Sequence, residues 1–208
     1  MISTRNLKYS YEDGKQFSFP DINLKSDEHL IILGSSGIGK TTLLHLISGL
    51  LKPNEGTITI ANTEINSLSQ GAIDKFRGEH LGIIFQQYQF IKSLSVKDNL
   101  ILRQSYPKRF NDKKRLTDLA ERLGLTEHLN KKTTALSQGQ QQRLSIALGL
   151  IHKPKVVFAD EPTSNLDDAN CDKVIELLKE EAEISGSNLI IITHDQRVKS
   201  HFKNQVVL

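Results

Sequence analysis

Cysteine is almost missing from this sequence: Cys171 is the single one, so no internal disulfide can form, which suits a reducing compartment. A strong charge of either sign is missing too. The 27 basic and 24 acidic residues leave a net charge of +3. That excess is too small to argue for nucleic acid or anionic lipid as a partner, and an ordinary solvated surface accounts for it. Long hydrophobic runs do not occur. The apolar stretches 30–33, 156–159 and 189–192 fall far short of the ~20 residues that cross a bilayer, and the opening Met1-Ile2-Ser3-Thr4-Arg5 holds no apolar signal segment. The expectation is a chain soluble on its own, with any membrane span supplied by another polypeptide. Repeats and low-complexity linkers are also absent, and 208 residues suit a single domain.

What is present is an alternation of two patterns. Residues 29–33, 81–85, 156–160 and 188–193 are short, β-branched apolar runs bounded by turn residues, and they read as buried strands. Between them, residues 40–50, 114–123, 137–151 and 168–184 carry apolar side chains at helical spacing. Strand and helix in turn imply an α/β fold with a mainly parallel sheet. Residues 2–7, 17–24 and 56–60 lie near the turns Asp13-Gly14 and Pro53-Asn54 and suggest a small N-terminal antiparallel sheet. From 86 to 151 no strand is evident, and this stretch reads as an inserted helical lobe. Its basic run 108–115 is expected to be a solvated helix start.

The chemistry begins at Gly34-Ser35-Ser36-Gly37-Ile38-Gly39-Lys40-Thr41, which fits G-x-x-x-x-G-K-[ST] between an apolar strand and a helix. Glycines let successive backbone N–H groups turn toward phosphate oxygens, and the helix N-terminus adds its positive dipole end. Lys40 is placed to reach the β- and γ-phosphates, and the Thr41 hydroxyl to ligate Mg²⁺. A second apolar strand ends in Asp160-Glu161. Paired carboxylates at a buried strand end are costly unless they serve a cation or a reaction. Asp160 is the candidate metal ligand, and Glu161 the candidate general base for an attacking water. Either could instead cap the helix that follows.

Three further segments stand in order along the chain. Phe85-Gln86 and Thr193-His194-Asp195 close strands, and Leu136-Ser137-Gln138-Gly139-Gln140 opens a helix. Ser137 is a natural N-cap there, with Gln140 as its capping-box partner.

This ordered set resembles the ABC ATPases across essentially the whole chain. The resemblance implies a P-loop NTPase of ABC type, a single nucleotide-binding domain 1–208. Residues 1–85 and 152–208 would form the ATP-binding core, and 86–151 the helical lobe. It implies ATP and Mg²⁺ as cofactors. The nucleotide would be held by residues 34–41 and Thr42, and by Tyr11 (with Tyr9 as the alternative) stacked on adenine. Mg²⁺ would be held by Thr41, Gln86 and Asp160, and the chemistry carried by Glu161, His194 and Gln86. Ser137, Gly139 and Gln140 would reach the nucleotide of a second copy in a head-to-tail homodimer, with Ser164-Asn165-Leu166-Asp167 as the D-loop at that interface. Two departures are visible: Gln138 stands where the family has Gly, and Ala147-Leu148-Gly149 where it often has Ala-Arg-Ala. The stretch 81–100 is similar to the small ATPases of lipoprotein-release and macrolide-export systems. The implied role is to power a separate membrane permease, more an exporter than an importer, from the cytoplasmic face of the membrane. The alternatives are a soluble ABC ATPase without transport or a slow-hydrolysing signalling relative.

Overall fold

A computed structural model describes residues 1–106, 112–164 and 166–208. Five strands form a parallel sheet: β4 (Leu30–Leu33), β7 (Leu81–Ile84), β8 (Val156–Asp160), β9 (Asn188–Thr193) and β10 (Asn204–Val207), in the order β10-β4-β9-β8-β7. β4, β8 and β9 are buried at every residue, as expected of parallel strands covered on both faces.

Alternation along those strands splits the core in two. Ile31, Leu33, Val157, Ala159, Leu189 and Ile191 face one side. There they meet α3 (Val96–Ser105), α4 (Lys113–Arg122), α5 (Gln138–Leu150) and α6 (Asp168–Ser185). Leu30, Ile32, Val156, Phe158, Ile190 and Ile192 face the other side. They pack with α1 (Lys40–Ile47) and α2 (Gln70–His80).

The same second cluster includes Ile2, Leu7, Ile58 and Ile60 of an antiparallel sheet. That sheet runs β2 (Gln16–Ser18), β1 (Ile2–Ser10), β5 (Glu55–Ile60), β6 (Thr63–Glu64), with β3 (Asn23–Leu24) also on β1. The α/β class, the parallel sheet and the N-terminal antiparallel sheet are therefore as the sequence implies.

Several local expectations change. The strand expected over 17–24 is split into β2 and β3 around Phe19-Pro20, because proline has no N–H for the ladder. The helix expected over 40–50 stops at Ile47, with Gly49 in the left-handed region at φ 68°. The strand expected to include Phe85 ends at Ile84. α2, α3 and β10 carry weak patterns and are visible only in the structure. Of the basic run 108–115, residues 108–111 lie outside the described residues.

Its last member corrects the solvated reading. Arg115 is buried and donates to the Leu150 carbonyl (3.3 Å) and the Ser185 hydroxyl (3.0 Å). Buried Glu181 of α6 receives Nε and Nη2 of Arg122 at 2.5 and 2.9 Å, with Arg115 4.0 Å away. α4 is thus pinned to α6 by a carboxylate serving two guanidinium groups. Removing one partner of a buried ion pair strands the rest. Glu181→Ala is expected to lower unfolding free energy by about 3 kcal/mol, read from denaturant unfolding curves.

Candidate functional site

β4 runs into residues 34–39, which turn back and present Lys40 as the first residue of α1. Gly37 (φ 80°) and Gly39 (φ 112°) make that turn possible, since a side chain is strained in that region. At Gly39 a Cβ would also fall 2.6 Å from the Phe17 ring. No side chain caps α1, so its first amides remain available to an anion. Lys40 lies across the loop, donating to the carbonyls of Gly34 (2.8 Å) and Ser35 (3.0 Å), with the Glu161 carboxylate 3.6 Å away.

β8 ends at Asp160, and Glu161 breaks the strand at φ 48°. Its carboxylate accepts from the Thr193 hydroxyl (2.7 Å), from His194 Nδ1 (2.8 Å) and from the His194 backbone N–H (3.3 Å). Asp160 accepts no hydrogen bond from any described residue. Burial, and after it the neighbouring Glu161 charge, push its carboxyl up to about 6 against the pull of Lys40. Neither carboxylate caps the next helix: α6 starts at Asp168, with Asp167 as its cap.

These groups meet because the sheet places their strands side by side. β9 lies between β4 and β8, with Leu33 opposite Thr193 and Asp160 opposite Ile192. The ends of three strands therefore stand level, and the segment after β7 joins them from the far side of β8. Together they form one cleft of about 500 Å³, within the usual range for small-molecule sites.

Tyr11, Ser36, Gly37, Gly39, Lys40, Thr41, Thr42, Gln86, Asp160, Glu161 and His194 all line the cleft. Gly34, Ser35 and Ile38 do not line it: Gly34 and Ser35 supply the carbonyls that hold Lys40, and the Ile38 side chain is exposed on the loop. The Tyr11 hydroxyl meets the Thr42 hydroxyl at 3.0 Å, while Tyr9 packs edge-on behind the Tyr11 ring and does not line the cleft. Lys15 and Phe17 also line it. Lys15 donates to the Gly37 carbonyl (3.3 Å) and stands over the Phe17 ring. No sequence pattern marks this pair; only the β1–β2 turn brings them here.

Asp160, the Thr41 hydroxyl and the Gln86 amide offer oxygen donors in one place. Among the described residues no group of three His, Cys, Asp or Glu side chains forms a self-sufficient metal site. A lone carboxylate with neutral oxygens suits Mg²⁺, which keeps waters and shares substrate phosphates.

Ser137, Gly139 and Gln140 stand apart from this cleft. Ser137 and Gln140 close the expected capping box at the start of α5, at 3.3 and 2.9 Å. Ser137 and Gly139 are exposed, with open space where a Gly139 side chain would project. In the 164–167 segment Asn165 lies outside the described residues, and the Leu166 carbonyl accepts from Arg197 at 3.2 Å.

A glycine loop between strand and helix, a lysine crossing it and an acidic pair at the neighbouring strand end define a P-loop ATPase. The chain belongs to the ABC transporter family, whose family model matches residues 19–164. It is 33% identical over 217 residues to the lipoprotein-releasing system ATP-binding protein LolD of Hydrogenovibrio crunogenus, covering 100% of this chain and 93% of that protein. With the MG468.1 homolog of Mycoplasma pneumoniae, named as an ABC transporter ATP-binding protein, it shares 38% identity over 178 residues. That match spans 86% of this chain and 62% of the relative's length. Among solved structures, the dimeric structure of the bacterial ABC transporter cassette MJ0796 superposes with a TM-score of 0.88 at 32% identity, covering 100% of this chain and 94% of that one. A post-hydrolysis structure of MJ0796 bound to ADP and Pi matches equally well.

Two outcomes follow from the charges. Lys40→Ala removes the cleft's buried cation and is expected to weaken ATP binding at least about tenfold, measured by calorimetry. The folded protein holds the Asp160 proton more tightly than the unfolded chain does, so stability falls as pH rises from about 4 to about 6. Asp160→Asn is therefore expected to raise the melting temperature by a few degrees at about pH 8 in chelator. The gain should vanish below about pH 4 in the same thermal scans.

Proposed function

We propose that this chain is the ATP-hydrolysing subunit of an ABC transporter, working as a head-to-tail homodimer that couples to a separate membrane permease. One observation carries the reading. The phosphate loop, Asp160, Glu161, Gln86 and His194 share a cleft that Ser137 and Gly139 do not line; both are exposed, Gly139 on a second cavity that adjoins the first at Gln86 and Glu161. A second copy would bring those two groups, with Gln140 behind them, to the γ-phosphate, where the α5 N-terminus favours negative charge. ATP would then act as the ligand that joins two copies, and its hydrolysis would release them.

The geometry supports the following roles. The amides of residues 34–41 and the N-terminus of α1 hold the phosphates, Lys40 exchanges loop carbonyls for phosphate oxygens, and the Tyr11 ring takes adenine, with Thr42 steadying its hydroxyl. Thr41, Asp160 and Gln86 would hold Mg²⁺, which would supply positive charge to the phosphates. Glu161 orients the attacking water and takes its proton, and the proton on His194 Nδ1 keeps that carboxylate in place. Residues 1–85 and 152–208 form the ATP-binding core. Residues 86–151 form the lobe, and Gln86 stands where a change at the γ-phosphate would reach it.

The resemblance to LolD, a protein named for lipoprotein release, favours export, and with it a position on the cytoplasmic face of the membrane. No described helix is long and apolar enough to cross a bilayer, so the span falls to the permease. Affinity purification from solubilised membranes is expected to bring down a multi-span protein, and its absence would favour a non-transport ATPase. Glu161→Gln is expected to retain ATP affinity and cut turnover by at least about a hundredfold. An ATP-bound dimer should accumulate on size-exclusion chromatography. Turnover close to wild type would remove Glu161 as the base.

A further inference from the structure

The Glu161 carboxylate is gripped from two sides by unequal partners. His194 is more than half exposed at its side chain, whereas Thr193, the last residue of β9, has no exposure at all. An exposed bond competes with water, and a buried bond to a charged acceptor does not. Thr193 is also locked in direction. Its oxygen accepts the Asp195 backbone N–H at 3.0 Å, which leaves the hydroxyl proton to point at Glu161 Oε2, 2.7 Å away.

Asp195 is itself immobilised. Its carboxylate accepts from the Thr163 hydroxyl (2.8 Å) and from Nε and Nη2 of Arg197 (2.9 and 2.8 Å). The same Arg197 reaches the Leu166 carbonyl and Asp168 at the start of α6. Meanwhile Glu161 sits at φ 48°, a backbone conformation that persists only where its surroundings enforce it.

We propose that Thr193 is a positioning residue for ATP hydrolysis: its buried hydroxyl, oriented by Asp195, aims the Glu161 carboxylate. This rests on the reading of Glu161 as the base. The other groups facing that carboxylate cannot substitute. Lys40 is engaged by the loop carbonyls, His194 reaches mainly the other oxygen, and Asp160 repels it. Without the hydroxyl, Oε2 keeps, among the described residues, only the 3.3 Å contact from the His194 N–H.

The test compares T193V, which keeps the β-branched shape, with T193S, which keeps the hydroxyl, by steady-state kinetics with ATP and Mg²⁺ and by ATP calorimetry. T193V is expected to lower kcat about tenfold or more with KM and ATP affinity within about twofold, and T193S to recover kcat to within about threefold. In single-turnover assays T193V adds no loss to E161Q, because it acts through that carboxylate. The proposal is overturned by a T193V kcat within about twofold of wild type, by a T193S defect as large as that of T193V, or by an equal T193V loss in the E161Q background. Should T193V fail to fold, T193A takes its place under the same criteria. Near-normal turnover of E161Q would overturn the base reading itself, independently of any Thr193 variant.

Discussion

The site depends on one pairing constraint: β9 runs parallel between β4 and β8, with their carboxyl ends level. Parallel strands in an open α/β sheet all discharge their loops on the same side. The loop after β4, the carboxylates of β8 and the histidine after β9 are therefore neighbours, although some 150 residues of chain separate the first from the last. The burial of these strands also leaves the Asp160 and Glu161 side chains at their ends largely shielded from water, which makes charges there both costly and effective.

The charges in the cleft suit a bound anionic nucleotide. Lys40 donates to two loop carbonyls, and Asp160, whose carboxylate accepts no hydrogen bond from any described residue, is pushed toward its protonated form. Such arrangements are expensive for a fold and are expected where function requires them. Glu161 is different. It is fully engaged, at a strained backbone position, by groups from the adjacent strand end. The two carboxylates are adjacent in sequence, yet one is left without a side-chain donor among the described residues, as the proposed cation site requires, and the other is held from two sides, as the proposed proton transfer requires.

The helical region is tied to the core unevenly. α4 is pinned to α6 through Glu181 and two arginines. The start of α5, with its exposed Ser137 and Gly139, is stiffened by its own capping box, by the Gln140–His128 contact and by Gln142, which donates to the Pro162 carbonyl at 2.7 Å. A rigid helix N-terminus that projects donors into open space is a suitable half of an interface, since little ordering is left to be done on binding.

Much was legible in the sequence because the signals are local. Buried parallel strands show as unbroken β-branched runs, the phosphate loop as a fixed glycine spacing, and the Ser137–Gln140 box as two residues three apart. Weakly patterned elements such as α2 and β10 were not legible, because tertiary packing rather than their own periodicity stabilises them. Arg115 misled for a similar reason: a basic run looks solvated until a glutamate 66 positions later is found beneath it. By itself the sequence determined which chemical groups exist and which backbone turns can form, since both are properties of residues and their near neighbours. Only the tertiary structure decided that Tyr11 rather than Tyr9 faces the cleft, that Lys15 and Phe17 join it, and that a buried threonine donates to the Glu161 carboxylate. Those are contacts between strands distant in sequence, and they are set by sheet order and register.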